Sequence, residues 1–192
     1  MDAITAIHAR RSRPVLTEPA PGDGDGDLDA ILAAAAAAPD HGRHRPWRFV
    51  VIKGDGRKAF GEVLAELYRE SAARRGEQPD PAAEGRERAK PMRAPVIIAV
   101  ACAAGGDEKV PRTERLAAVA AATQNLLLAA TALGYGAMWR TGAPARSASV
   151  REALGFAPGD EITGFVYLGS IPAGQELPPA RRDLDAPVRE WP

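Results

Sequence analysis

The sequence holds a single cysteine, Cys102, in 192 residues. An internal disulfide and a cysteine-built metal site are both excluded, and a reducing compartment, the cytoplasm, is expected. No charge of one sign is in excess: 25 Lys and Arg stand against 25 Asp and Glu. A chain built to grip nucleic acid normally carries a basic surplus, so no nucleic-acid partner is expected. Aromatics make up only 5% of the residues, and none are interleaved with exposed arginines as a single-strand stacking platform requires. Long apolar runs are also missing. Val96–Ala104 and Leu126–Leu133 fall well short of the roughly 20 residues a bilayer helix needs, so no membrane span is expected. The first 13 residues place Asp2 early and have no apolar core, unlike a secretory leader.

What is present reads as an ordinary globular chain, 45% apolar and 26% charged. Its length favours one domain over residues 1–192, with an extended proline-rich tail from about 172 to 192. Asp2–Arg11 has the spacing of a short helix, stopped by Pro14. Pro19–Gly26 is linker-like; its aspartates mimic a calcium loop, but the twelfth position from Asp23 is Ala34, not Glu. Leu28–Ala38 is a helix with Asp27 as its expected N-cap and an alanine run that lets another backbone approach closely.

Trp47–Ile52 has the bulky, β-branched make-up of a strand. A helix is expected within 57–78, with Phe60, Val63, Leu64, Leu67 and Tyr68 at helical spacing. Residues 79–93 read as weakly structured, a candidate flap. Pro95–Ala103 is a continuous apolar run, the mark of a strand buried on both faces. Arg115–Leu133 is a long helix, apolar nearly all round, closing at Gly134. Ala137–Arg140 and Glu161–Ser170 complete the strands, with a brief helix over Val150–Phe156 capped by Ser147 and Ser149.

Four stretches carry chemistry or mimic it. Arg10-Arg11-Ser12 offers two guanidiniums and a hydroxyl to a phosphate; the plainer alternative is that the arginines complement the carbonyls at a helix end. The loop Asp40–Trp47 follows a helix and precedes a strand, where ligand loops lie. Its histidines, three apart around Gly42, do not share a helix face, so a metal is not expected there; His41 and Arg45 can instead donate to a ring-shaped ligand. Gly134–Gly142 follows a helix instead of opening one, which excludes the dinucleotide fingerprint, yet Arg140 at the strand end can join Arg10 and Ser12 around one phosphate. Cys102, mid-strand among apolar residues, reads as an inert thiol. No Walker loop, GxSxG or HExxH occurs.

The order of these pieces matters. RRS at 10–12, DHGRHRPWRF at 40–49, KVPR at 109–112, ATQNLLLAATALGYGAMWRTG at 122–142 and GDEITGFVYLG at 159–169 together resemble the nitroreductase family, in its compact bacterial branch. The resemblance implies an α+β fold with a central, mostly antiparallel sheet of four to five strands flanked by helices. It further implies a homodimer, with the long apolar helix at the interface and FMN bound there. By motif position Arg10, Arg11, Ser12 and Arg140 would bind the phosphate, with Trp139 and Thr141 beside them. His41 and Arg45 would approach the flavin from the other subunit. Arg45 stands where many relatives have an amide, and Pro14 where larger members have a lysine. The implied reaction is ping-pong hydride transfer from NAD(P)H through flavin N5 to an electron-poor small molecule, a nitroaromatic or a quinone. The chemistry lies on the FMN, so no side chain is named catalytic. A non-catalytic flavin-binding or sensing dimer is the alternative.

Overall fold

The all-apolar run of the sequence sits at the middle of one sheet. A computed structural model describes residues 1–22, 24, 26–105, 109–175 and 188–191. In it the run forms β2 (Val96–Cys102), in which every residue is buried. β1 (Trp47–Lys53) and β4 (Glu161–Gly169) flank it, and β3 (Gly136–Arg140) pairs with the outer side of β4. The order is β1-β2-β4-β3 and every pairing is antiparallel. The expected four to five strands are therefore four. Between Val100 and Ala101 the register slips by one residue; Thr163 is the extra one, and its hydroxyl donates to the Val100 carbonyl at 3.2 Å.

Alternation along β2 explains why its composition is continuous. Ile98 and Val100 face one core with Ile31, Val119, Leu126 and Val166. Ile97, Ala99 and Ala101 face a second core with Phe60, Leu64 and Phe165. The first core is covered by α2 (Asp27–Ala36) and α5 (Arg112–Ala132), with α1 (Ala3–Ala9) packed on α5. The second is covered by α3 (Gly56–Arg74) and α6 (Ala148–Ala153). α4 (Pro81–Ala89) packs on α3. An antiparallel sheet clad on both sides thus imitates the pattern of a parallel one.

α5 buries Ala118, Val119, Ala122, Thr123, Leu126, Leu127 and Ala130. Its polar interruptions have work to do: Thr123 Oγ1 donates to the Val119 carbonyl at 2.8 Å, and Asn125 Nδ2 to the Ala34 carbonyl at 3.1 Å. Ala117, Ala120 and Gln124 remain exposed on the other side. No helix among the described residues is long and apolar enough to cross a membrane. Cys102 is 4% exposed, and burial pushes its thiol pKa up, which keeps it protonated and inert.

Several sequence expectations are corrected. Asp27 does not cap α2: Gly26, at φ +74°, holds the cap position, and the Asp27 carboxylate accepts from the Tyr135 hydroxyl at 3.0 Å. The helix expected within 57–78 is present over Gly56–Arg74 and only its start, one residue earlier, differs. α6 starts earlier than expected and is capped by Ser147 alone; Ser149 faces Ser147 and Glu70. The tail expected over 172–192 lies mostly outside the described residues.

The largest correction concerns 79–93, which is α4 followed by a 3-10 turn over Lys90–Arg93. Asp80 caps the helix by accepting from the Ala82 and Ala83 amides at 3.0 and 3.2 Å. Glu84 then accepts from both Arg69 and Arg88 at 2.6 Å, and these contacts hold its carboxyl below the usual range. Asp80→Ala removes the acceptor for two amides and is expected to cost about 1 kcal/mol. Urea titration checks this, and an unchanged midpoint would show that α4 is held by its α3 contacts alone.

Candidate functional site

The chain leaving α1 is stitched to the free edge of β3. Ser12 forms a parallel bridge with Ala137, and the Arg13 amide donates to the Ala137 carbonyl at 3.0 Å. Further on, the Leu16 amide donates to the Arg93 carbonyl at 2.9 Å, and Thr17 pairs with Ser170. Arg140, at the end of β3, returns to the same stretch: its Nη2 donates to the Pro14 carbonyl at 3.3 Å. Residues 10–14, 90–93 and 139–141 therefore meet at one corner of the sheet.

β3 alternation sends Trp139 to the α5 side and Arg140 to the α3 side. Trp139 lies directly over Gly164 of β4, where a Cβ would meet the indole and stand 2.7 Å from the Arg140 carbonyl. Only a residue without a side chain fits at that point. The Arg140 guanidinium stands 5.3 Å from the Tyr167 ring centroid, within cation–π range. It opens on a cavity of about 120 Å³ lined by Lys90, Arg93, Arg140 and Thr141 over Phe60, Phe165 and Tyr167.

The electrostatics of this corner are unbalanced. Lys90 is paired with Glu87, but among the described residues neither Arg93 nor Arg140 has a carboxylate partner. Burial, and then the charge of Arg93, pull the Arg140 pKa below its ordinary value. Arg140 Nε and Trp139 Nε1 are buried without a hydrogen-bond partner among the described residues. A partly desolvated cation beside a second cation is destabilised unless an anion joins them. Arg10 and Ser12 are likewise uncommitted in their side chains among the described residues. Arg11 is not: its Nη1 donates to the carbonyls of His8 and Arg10, each at 2.8 Å, which is the helix-end role weighed as the alternative.

The loop before β1 is built differently. Gly42, Arg43 and Arg45 all have positive φ, at 71°, 57° and 47°. For the two arginines this is a sparsely populated conformation. Asp40 secures it by accepting from the Arg45 amide at 2.7 Å, and Gly42 leaves room for the His44 ring, which a Cβ would approach to 2.8 Å. Arg45 is exposed, and His41 Nδ1 lies 2.6 Å from the Glu114 carboxylate at the start of α5.

The structure does not bring His41 and Arg45 to the other six expected residues. Trp47 starts β1 and aligns through Cys102 with Glu161, whereas Ser12 and Ala137 align with Leu168. Four strand spacings across and seven residues along put Trp47 about 30 Å from Ser12, and three spacings and four residues put it about 20 Å from Arg140, which aligns with Phe165. They occupy opposite corners of the sheet. Sequence reading missed Arg93 and Lys90, which join the first corner; the available signal was a pair of cations directly before a buried strand.

Comparison with known proteins places these features. Residues 10–170 match the Nitroreductase family. The chain is 42% identical over 170 residues, 88% of each chain, to the Escherichia coli (strain K12) protein named "Putative NAD(P)H nitroreductase YdjA". Among solved structures it is similar to the nitroreductase-like family protein from Bacillus cereus, at 24% identity and a TM-score of 0.79, over 100% of this chain and 96% of that one. A structure described as a "putative nitroreductase in complex with fmn" from Desulfovibrio desulfuricans aligns at 28% identity and a TM-score of 0.72, over 100% and 98%. The fold, the ordered motifs and these matches agree, and the chain belongs to the nitroreductase family.

Proposed function

We propose that this chain is an FMN-dependent oxidoreductase that draws electrons from NAD(P)H, acting as a homodimer whose two sites each use both subunits. One observation carries the reading: two ligand-ready segments stand at opposite corners of one sheet, too far apart for one chain to close both on a single mononucleotide. A second copy, packed through the exposed side of α5, would supply the missing loop. The uncompensated cations at the first corner fit a group that is anionic at one end and flat at the other. Arg10, Ser12 and Arg140 would take the phosphate, with Arg93 and Lys90 extending the same positive field, while Arg11 steadies the end of α1. Trp139 and Thr141 would lie beside the ring, and the unpaired indole Nε1 would find an acceptor there. His41 and Arg45 would come from the second copy.

Bound FMN supplies hydride acceptance and release at N5, so NAD(P)H and an electron-poor acceptor, a nitroaromatic or a quinone, would use the site in turn. The chain's own part is to bind, orient and offset negative charge; the cations would favour the extra charge that reduction brings.

The purified protein is expected to be yellow, to release FMN on denaturation and to bleach with NADH or NADPH without oxygen. Arg140→Ala and the double variant His41→Ala/Arg45→Ala should each be weakly active. Mixed and refolded together they should regain activity, since a heterodimer holds one intact site. Failure to take up FMN would end the flavin reading, and failure of the mixture to recover would end the shared-site reading.

A further inference from the structure

The contact between His41 and Glu114 has no role in the reading above. Both side chains are largely in water, 63% and 47% exposed, and such exposed pairs contribute little stability. What the contact does determine is the state and direction of the imidazole. A carboxylate only accepts, so at 2.6 Å the proton sits on Nδ1, and Nε2 is turned to the other side of the ring.

Of the other polar groups around the small gap between the loop and α5, which include His44, two are engaged elsewhere. Asp40 accepts from the Arg45 amide. Arg115 Nη1 donates to the carbonyls of Ala103, Ala104 and Gly105 at 2.9–3.3 Å. Glu114 is the one group from α5 that reaches the His41 ring among the described residues. The loop backbone, with three residues at positive φ, is otherwise held by Asp40 and by Arg48 of β1, whose Nη1 donates to the Arg45 carbonyl at 3.1 Å; such a backbone persists only where its surroundings over-determine it. Its main chain is thus held by Asp40 and by β1, and its leading side chain by α5.

We propose that Glu114 is a positioning residue for cofactor binding. It holds His41 in the Nδ1–H tautomer and aims Nε2, as an acceptor in the neutral ring, at the ligand held by the second copy. This rests on the proposed role of His41 in the shared flavin site. Glu114 itself touches no ligand.

Nitrogen-15 NMR of the imidazole, with His41 identified by its loss in His41→Ala, reads the tautomer in protein free of FMN. The wild type is expected to show the Nδ1–H form, and Glu114→Ala a shift towards the Nε2–H form that free histidine prefers. Glu114→Ala should also raise the FMN dissociation constant about tenfold, within the range of coupling between contacting residues. In the His41→Ala background the same change should alter it by less than about twofold. An unchanged tautomer, an unchanged FMN affinity, or an equal loss with and without His41 overturns the proposal. If the wild type takes up no FMN, the flavin reading fails instead, and the tautomer measurement still reports whether Glu114 governs His41.

Discussion

Replacing Arg140 by alanine is expected to raise the dissociation constant for FMN by roughly ten- to a hundredfold. That range follows from the roughly 1.5–3 kcal/mol of a hydrogen bond to a charged partner. The guanidinium is partly desolvated and, among the described residues, stands beside Arg93 without a carboxylate and keeps Nε unpaired; among those residues it gains a ring contact with Tyr167 and one bond to the Pro14 carbonyl. Loss of the side chain should therefore leave the FMN-free protein within about 1 kcal/mol of its original stability, because relief from Arg93 offsets the lost cation–π contact. Arg140→Lys should fall between the two, since an ammonium keeps the charge but not the fork. Fluorescence titration with FMN checks all three proteins. Equal affinity in the alanine variant would place the anion elsewhere.

The second large effect belongs to Gly164. A Cβ there would meet the Trp139 indole and stand 2.7 Å from the Arg140 carbonyl, at a backbone φ of +154°. Gly164→Ala combines overpacking with backbone strain, each costing about 1–3 kcal/mol, so a loss of about 3 kcal/mol is expected. The urea midpoint should fall at an unchanged slope. FMN retention should fall with it, because the displaced residues are among those proposed above to hold the ligand. A variant of wild-type stability that still holds FMN would show that β3 can slide away from β4 at no cost to the site.

How much of this could be read in advance depended on whether the cause was local. β2 was legible because a strand covered on both sides must be apolar at every position. The first corner was legible at Arg10, Ser12 and Arg140, since a guanidinium or hydroxyl at an element's end is a visible feature. Arg93 was not: it joins the site through a backbone bond to Leu16, and nothing near either residue announces that pairing. α4 escaped for a related reason. It buries none of its own residues, so it shows no apolar stripe, and it is held by a cap and by arginines of α3 and α4. Asp27 looked like a cap because its partner, Tyr135, lies far along the chain. For Arg11 two uses of one side chain were open, and the carbonyls of α1 were the nearer claim.

The diagonal separation of the two corners has a consequence for handling the protein. If each subunit lends its loop to the other's pigment, cofactor retention depends on protein concentration as well as on FMN supply. A concentrated solution would keep its colour through dialysis, while the same sample, diluted until subunits part, would bleed pigment from both sites at once. Saturation measured at nanomolar protein would then understate the affinity that operates where the chain is abundant.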